Sequence, residues 1–197
     1  MIAERRGNVN KLAVIFPGIG YSADKPLLHY SRRLAEKHGY EAIILPYSGF
    51  PKKVKGDRKK MEECFHIAVR QSRKMLSDVN YPEYDDILFI GKSIGTVAAA
   101  QIASETGKAI RLVLFTPLEE TFSFGVGQAI VFTGSGDPWV GGENSRIPQL
   151  CERQGIPCRV IPAANHSLET GDPIQDIQNL KTVMEETERF VISGKDW

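Results

Sequence analysis

Six short apolar runs, each closely followed by a glycine or a proline, limit the fold of this sequence more than any other feature. Uninterrupted apolar runs of this length are typical of strands that are buried on both faces. Amphipathic stretches separate most of the runs and indicate helices. Buried strands that alternate with helices predict a parallel sheet covered on both faces, that is, a three-layer α/β/α sandwich. The predicted strands lie at residues 12–16, 42–45, 87–90, 112–115, 129–132 and 158–161, and the predicted helices at residues 26–38, 57–79, 94–106, 144–154 and 174–192.

The length of the chain predicts how many domains it forms. A chain of 197 residues suits one compact domain and is short for two. Apolar residues make up 42% of it, which is enough to fill one substantial core. No internal repeat, low-complexity tract or linker interrupts the alternation of strands and helices. We therefore predict a single domain over residues 1–197, of the α/β class, with about six mostly parallel strands.

The charge balance and the absence of long apolar segments argue against several classes of protein. The 25 Lys and Arg residues nearly match the 24 Asp and Glu residues, whereas a protein that binds nucleic acid or anionic membranes normally has a strong basic excess. The first residues lack the apolar segment of a signal peptide, and no run approaches the ~18 apolar residues that a membrane span requires. We therefore expect no nucleic-acid partner, no membrane association and a cytoplasmic location.

The three cysteines, Cys64, Cys151 and Cys158, point to the same kind of compartment. They are odd in number and stand at unrelated spacings, which predicts reduced thiols inside a cell. Cys151 and Cys158 are near in sequence, but two cysteines without a second pair or nearby histidines make a poor metal site. We expect the cysteines to be small buried side chains, and we expect no bound metal.

The third apolar run leads directly into a Gly-x-Ser-x-Gly motif formed by Gly91, Ser93 and Gly95. A helical stretch of small and apolar residues follows it, so the motif has the strand–turn–helix setting of a nucleophile elbow. The serine must sit on a strained turn to project its hydroxyl above the sheet, and the two glycines remove side chains that would collide across that turn. The sequence therefore predicts Ser93 as a nucleophile. The alternative is a serine that only caps the helix.

Two other glycine motifs compete with this interpretation. Residues 91–93 match the end of a Walker A phosphate loop, but that loop needs a glycine five residues before Gly91, where Asp86 stands. Residues 18–23 fit the dinucleotide fingerprint Gly-x-Gly-x-x-Gly/Ala after a strand. A nicotinamide enzyme would also have an acidic residue at the end of the second strand, where residues 45–48 read Leu-Pro-Tyr-Ser. The dinucleotide interpretation is thus disfavoured but stays open.

An activated serine needs a histidine within reach, and the chain has four histidines. His29, His38 and His66 lie in predicted helices upstream of Ser93, where surface or packing roles are expected. His166 lies just past the last predicted strand, at the position in chain order where this kind of elbow requires its base. Elimination and position therefore both predict His166 as the general base.

The histidine in turn needs a carboxylate that holds its tautomer. Asp137 follows the fifth predicted strand, in a turn marked by preceding glycines and by Pro138. An aspartate before a proline is common in turns, but its position between the serine and the histidine makes Asp137 the best candidate for the acid. Glu143, further along the same loop, and Asp172, after the histidine, are weaker alternatives.

The oxyanion of an acyl-transfer intermediate should be bound by two backbone amides. One is expected from Ile94, the residue after the nucleophile, and the other from the loop after the first strand. That loop contains Gly18 and Gly20, which let its backbone approach a substrate closely. We predict Ile19 as the second donor, with Gly20 as its alternative.

With these residues in place, the chain resembles the α/β-hydrolase superfamily over nearly its whole length. The matching segments are residues 16–18, 91–95, 134–137 and 165–167. It looks closest to small members without a cap, such as the dienelactone-hydrolase-like branch and the intracellular hydrolases with a Gly-Lys-Ser-x-Gly elbow. It departs from larger members because little chain precedes Leu12 and because residues 116–128, where many members insert a lid, form only a short predicted loop.

The resemblance implies esterase, thioesterase or peptidase-type acyl transfer without a cofactor. We expect a serine hydrolase that cleaves a small carboxylic ester or thioester through Ser93, Asp137 and His166, with a small acyl compound as its partner; assembly as a homodimer stays open. The alternative is a non-catalytic protein of the same fold that serves as a binding or scaffold module, although such proteins usually lack one member of the triad. An acyl transferase that uses the same acyl-enzyme is a third interpretation.

The acyl group that the site accepts cannot be read from the sequence, but the residues that border the substrate can be named. Gly18, Gly20, Tyr21, Lys92 and Trp139 lie beside the nucleophile or in loops that follow strands, and we predict that they bind substrate. The basic residues 52–60 follow the second strand, on the same side as the site. A solvated loop and a clamp for a carboxylate substrate both fit that stretch.

Overall fold

Six parallel β-strands form one sheet in this computed structural model, which describes residues 10–193. The strands are β1 (Lys11–Phe16), β2 (Tyr40–Ile44), β3 (Asp86–Lys92), β4 (Arg111–Phe115), β5 (Ala129–Gly134) and β6 (Cys158–Ile161). Their order across the sheet is β2-β1-β3-β4-β5-β6, and every neighbouring pair is parallel. The prediction of about six mostly parallel strands is confirmed.

Five α-helices cover the two faces of the sheet within the described residues. They are α1 (Pro26–Lys37), α2 (Arg58–Met75), α3 (Ile94–Thr106), α4 (Ile147–Gln154) and α5 (Pro173–Ser193). Apolar residues of α2, α3 and α4 belong to one core cluster, and those of α1 and α5 belong to the other. Alternate residues of β1 divide between the two clusters, because successive side chains of a strand point to opposite faces. The three-layer α/β/α architecture is confirmed.

Two predicted helices are shorter than their sequence patterns. The apolar pattern of α2 continued to Val79, but the helix ends at Met75 because Leu76 and Val79 pack into the same core from a turn beyond the helix. The pattern of α4 began at Asn144, but residues 142–144 form a 3-10 turn that starts at Gly142 and follows Gly141, both with positive φ, and the α-helix begins at Ile147.

The connection between β4 and β5 is short and carries no inserted domain. Its only regular element is a 3-10 helix, Glu119–Phe124, which packs against α3. The described residues therefore contain no cap over the carboxyl edge of the sheet, as the sequence predicted. Within these residues no helix is both long enough and apolar enough to cross a membrane.

Candidate active site

Ser93 lies on a strained turn between β3 and α3. Its φ of 55° and ψ of −123° fall in a region that L-residues rarely adopt, and such strain concentrates at functional sites. A Cβ at Gly95 would lie 2.0 Å from the carbonyl oxygen of Phe16, and a Cβ at Gly91 would lie 2.9 Å from Cα of Thr96. Both glycines are therefore required sterically: Gly95 lets α3 approach the backbone at the end of β1, and Gly91 lets the end of β3 approach the first turn of α3.

Ser93, His166 and Asp137 form one chain of hydrogen bonds. The Oγ of Ser93 lies 2.7 Å from Nε2 of His166, and Nδ1 of the same ring lies 2.7 Å from Oδ2 of Asp137. The three residues follow β3, β6 and β5, and parallel strands bring their carboxyl ends to one edge of the sheet. This geometry matches that of a nucleophile, a general base and an orienting acid.

Asp137 is held rigidly in this arrangement. Its side chain is fully buried, and its Oδ1 accepts a hydrogen bond of 2.9 Å from the backbone amide of Trp139. Of the two alternative acids, Glu143 lies in the 3-10 turn before α4, while Asp172 accepts bonds from the first amides of α5. The carboxylate that meets His166 is therefore that of Asp137.

The loop that carries His166 is tied to the end of β4. Thr116 follows β4 with a φ of 42°, which is strained for a β-branched residue, and its hydroxyl donates to the carbonyl oxygen of His166 at 3.1 Å. Asn165 closes the other side of the loop, since its side-chain oxygen accepts from the amides of Ser167 and Glu169. The role of Thr116 was missed from the sequence, because neither its backbone strain nor this contact leaves a local pattern.

The electrostatic surroundings keep His166 in the neutral form. Burial lowers the pKa of His166 below its ordinary 6.5, and the hydrogen bond to Asp137 opposes that shift. The positive charges of Lys92 and Lys55 lower the pKa of His166 further. A neutral imidazole can accept a proton from Ser93, so the environment suits a general base at neutral pH.

Backbone amides point to a candidate oxyanion site next to Ser93. Ile94 begins α3, and its amide has no partner among the described residues, as expected for the first turn of a helix. The loop after β1 forms a tight turn in which the amide of Gly18 donates to the carbonyl oxygen of Tyr21 at 3.1 Å. The amides of Ile19 and Gly20 at the tip of this turn donate to no group in residues 10–193. They are thus available to a ligand, and so both remain candidates for the second donor.

The glycine motif at residues 18–23 serves the turn next to the nucleophile. A Cβ at Gly18 would lie 3.3 Å from Cβ of Ser93, so this residue allows the turn to pack against the elbow. A dinucleotide loop would lead straight into a helix, but α1 begins only at Pro26. The strand order also differs from the classic dinucleotide-binding order 3-2-1-4-5-6, in which the third strand lies next to the second; here β3 lies next to β1. The structure therefore does not support the dinucleotide interpretation.

The other predicted substrate-binding residues lie in two different environments. Trp139 is half-buried, and its ring centroid lies 5.5 Å from that of His166. Lys92 and Tyr21 are instead buried beneath the site, with the lysine Nζ 5.0 Å from the centroid of the tyrosine ring. Lys92 is too deeply buried to meet a substrate directly, whereas Tyr21 lines a small cavity of about 160 Å³ together with Ser167 and Leu168. Of these three side chains, Trp139 is the one in ring contact with His166.

A cavity of about 620 Å³ is lined in part by Trp139, whose ring contacts His166, although Ser93, His166 and Asp137 do not themselves line it. Trp139 and Pro138 form its wall nearest to His166, and Met61 and Phe65 of α2 add apolar surface. Lys55 from the basic stretch also lines it and places its Nζ 5.8 Å from the centroid of the Trp139 ring. Charged side chains of both signs, such as Arg58 and Glu120, complete the lining, so the cavity is only partly apolar. No cluster of three or more His, Cys, Asp or Glu side chains that could hold a metal occurs in the described part of the chain.

Comparison with known proteins identifies the fold. The sequence matches no family model and no curated protein sequence. Three solved structures illustrate the likeness to known folds. Est1E from Butyrivibrio proteoclasticus, solved with ferulic acid bound, has a TM-score of 0.68 at 12% identity, with 98% of this chain and 93% of that chain covered.

The other two are described as serine hydrolases. An alpha-beta serine hydrolase homologue from Coxiella burnetii has a TM-score of 0.64 at 17% identity, with 92% and 84% of the two chains covered. A serine hydrolase without a lid from Xanthomonas campestris has a TM-score of 0.63 at 13% identity, with 93% and 82% covered. This chain therefore has the α/β-hydrolase fold. In residues 10–193 it is a version without a cap; its place in the dienelactone-hydrolase-like branch stays a prediction.

Proposed function

We propose that this protein is a serine hydrolase that cleaves a small carboxylic ester or thioester through an acyl-enzyme on Ser93. The observation that carries the proposal is the unbroken chain of hydrogen bonds from Ser93 through His166 to Asp137, with 2.7 Å at each step. The strained backbone of Ser93 supports it, because a serine that only caps a helix would need neither positive φ nor a histidine partner.

In the acylation step, the Oγ of Ser93 attacks the carbonyl carbon of the substrate while Nε2 of His166 takes its proton. The carbonyl π electrons move to the oxygen, and the amides of Ile94 and of Ile19 or Gly20 bind the resulting oxyanion. Asp137 stabilises the imidazolium without taking the proton. Collapse of the tetrahedral intermediate breaks the bond to the leaving group, which receives the proton from His166.

Deacylation repeats these roles with water. His166 removes a proton from a water molecule as its oxygen attacks the acyl carbon, and the second tetrahedral intermediate releases the acid. The proton returns from the imidazolium to the Oγ of Ser93. Apart from the substrate and water, every group that acts in these proposed steps belongs to this chain.

The cavity next to Trp139 supports a small substrate. Its volume of about 620 Å³ matches the usual size of a small-molecule site, and its wall includes Trp139, whose ring centroid lies 5.5 Å from that of His166. Solved proteins of the same fold are described as an esterase or as serine hydrolases. A scaffold protein of this fold remains the alternative, but it would have no need of the three aligned side chains.

Treatment with a fluorophosphonate followed by intact-mass analysis tests the proposal. We expect one adduct on native protein, mapped to Ser93, and none on Ser93→Ala or on heat-denatured protein, because only an activated serine reacts. Ser104→Ala is the matched control, since Ser104 is an exposed serine later in α3, and it should label like the wild type. Folded wild-type protein that forms no adduct would favour the scaffold alternative.

The pH dependence of this labelling follows from the environment of His166. The reaction needs the neutral imidazole, and burial lowers the pKa of His166 below 6.5. We expect the rate constant of labelling to rise with pH, to pass its midpoint below pH 6.5 and to be constant by pH 7. Rates measured from pH 4.5 to pH 9 check this. A midpoint above pH 7 would contradict the proposed electrostatics.

A further inference from the structure

Lys92, the residue before Ser93, is a buried lysine without a carboxylate partner in contact. Its side chain is 1% exposed, although burying an ammonium is costly and a lysine at a strand end normally reaches water. It lies on the face of β3 that also carries Leu88 and Ile90, on the side of α1 and α5. No hydrogen bond or ion pair of its ammonium occurs among the described residues, and the ring of Tyr21 lies 5.0 Å away.

The groups around the Lys92 ammonium come from three loops at the carboxyl edge of the sheet. Tyr21 follows β1 and is itself fixed, because its hydroxyl accepts the amide of Leu27 at 3.1 Å. Asp137 follows β5, and Glu169 follows β6; both act on the lysine through their charge. Lys92 therefore stands behind the candidate site, because it directly precedes Ser93, whose Oγ lies 2.7 Å from Nε2 of His166.

We propose that Lys92 is a positioning residue of the site, whose buried ammonium acts through His166 by keeping its imidazole in the neutral form that accepts the Ser93 proton. This inference rests on the proposed function. A second positive charge is unfavourable near a buried cation, so the ammonium opposes protonation of His166. Lys55 adds to this effect from the surface, while Asp137 opposes it from the other side of the ring.

The effect of Lys92 on His166 is strongest at acid pH, because Lys92 is protonated there. Burial lowers the pKa of Lys92 to about 7, although the charges of Asp137 and Glu169 oppose the shift. The lysine is therefore charged in the acid range, where His166 would otherwise take up a proton. A purely structural role would be filled better by a methionine, which packs in the same volume without the cost of a buried charge.

Titration of the His166 imidazole by NMR tests the inference without any substrate. In Lys92→Met we expect the titration midpoint of His166 to rise by about 0.5 to 1 pH unit, the size expected for one nearby charge in a partly desolvated site. Lys92→Arg restores a charge and should keep the midpoint near that of the wild type. Lys108→Met removes an exposed lysine beyond α3 and should leave the midpoint unchanged. An unchanged midpoint in folded Lys92→Met would overturn the inference.

The pH profile of the labelling rate distinguishes a failure of this inference from a failure of the proposed function. If fluorophosphonate labels the wild type, the midpoint of its rate profile should rise in Lys92→Met by the same amount as the NMR midpoint. Labelling with an identical profile in both proteins would overturn the inference and leave the proposed function standing. An NMR shift without any labelling of the wild type would overturn the proposed function, and would leave Lys92 as a group that sets the charge of His166.

The pH dependence of the free energy of unfolding provides a second measurement, because burial of the Lys92 ammonium costs stability. The pKa of Lys92 is lower in the folded chain than its ordinary value of 10.5, so between about pH 7 and pH 10.5 the unfolded chain binds more protons. The free energy of unfolding of the wild type should therefore rise with pH over this range relative to Lys92→Met, and at pH 6 the variant should be the more stable protein. Parallel curves from pH 6 to pH 9 would show that the ammonium is solvated, and would overturn the inference.

Discussion

Replacing His166 with glutamine should slow the fluorophosphonate labelling of Ser93, and the hydrolysis of an activated ester such as 4-nitrophenyl acetate, by about 10³-fold or more. The wild-type Nε2 lies 2.7 Å from the Oγ of Ser93, and no other imidazole lies near that hydroxyl in the described chain. Glutamine keeps a polar side chain there but cannot accept and return a proton at neutral pH. The labelling rate constant and the initial hydrolysis rate measure the effect.

Two further variants sharpen this test. His38→Gln is the control, because His38 caps the C-terminus of α1 and contacts Glu188, and we expect its rates to stay within twofold of the wild type. Ser93→Ala combined with His166→Gln should hydrolyse the ester no more slowly than Ser93→Ala alone, since residues that act as one unit do not contribute additively. A His166→Gln rate within tenfold of the wild type would refute the proposed mechanism.

Gly95→Ala should lower the free energy of unfolding by about 3 kcal/mol or more and abolish labelling. The added Cβ would lie 2.0 Å from the carbonyl oxygen of Phe16 and 2.5 Å from that of Pro17. Both neighbours are backbone atoms at the end of β1, so the strand or the helix must move to make room. Urea denaturation followed by circular dichroism measures the loss of stability.

Gly127→Ala is the matched control for this prediction. Gly127 precedes β5, has no positive φ, and a Cβ there would meet nothing within 4 Å. Its substitution should change the free energy of unfolding by less than about 1 kcal/mol. Equal stability of the two variants would mean that α3 lies further from β1 than in this structure. It would also contradict the geometry of the elbow described above.

Most of the fold could be predicted from the sequence because its signals are local. Strands buried on both faces are continuous apolar runs, and every predicted run overlaps an observed strand. Helix ends were less predictable, since the apolar pattern of α2 does not distinguish the helix from the turn that packs into the same core. The order of serine, acid and histidine along the chain also predicts their convergence, because the carboxyl ends of parallel strands share one edge.

The sequence by itself therefore determined the α/β architecture and the three side chains proposed to carry the chemistry. Only the tertiary structure decided which carboxylate meets the imidazole, since Asp137, Glu143 and Asp172 all stand near strand ends. Likewise, the burial of Lys92 against the ring of Tyr21 joins residues that are distant along the chain. From its sequence neighbours alone, a lysine is expected to be a solvated charge. Its burial, and the effect of that burial on pKa values, depend on groups that are distant along the chain.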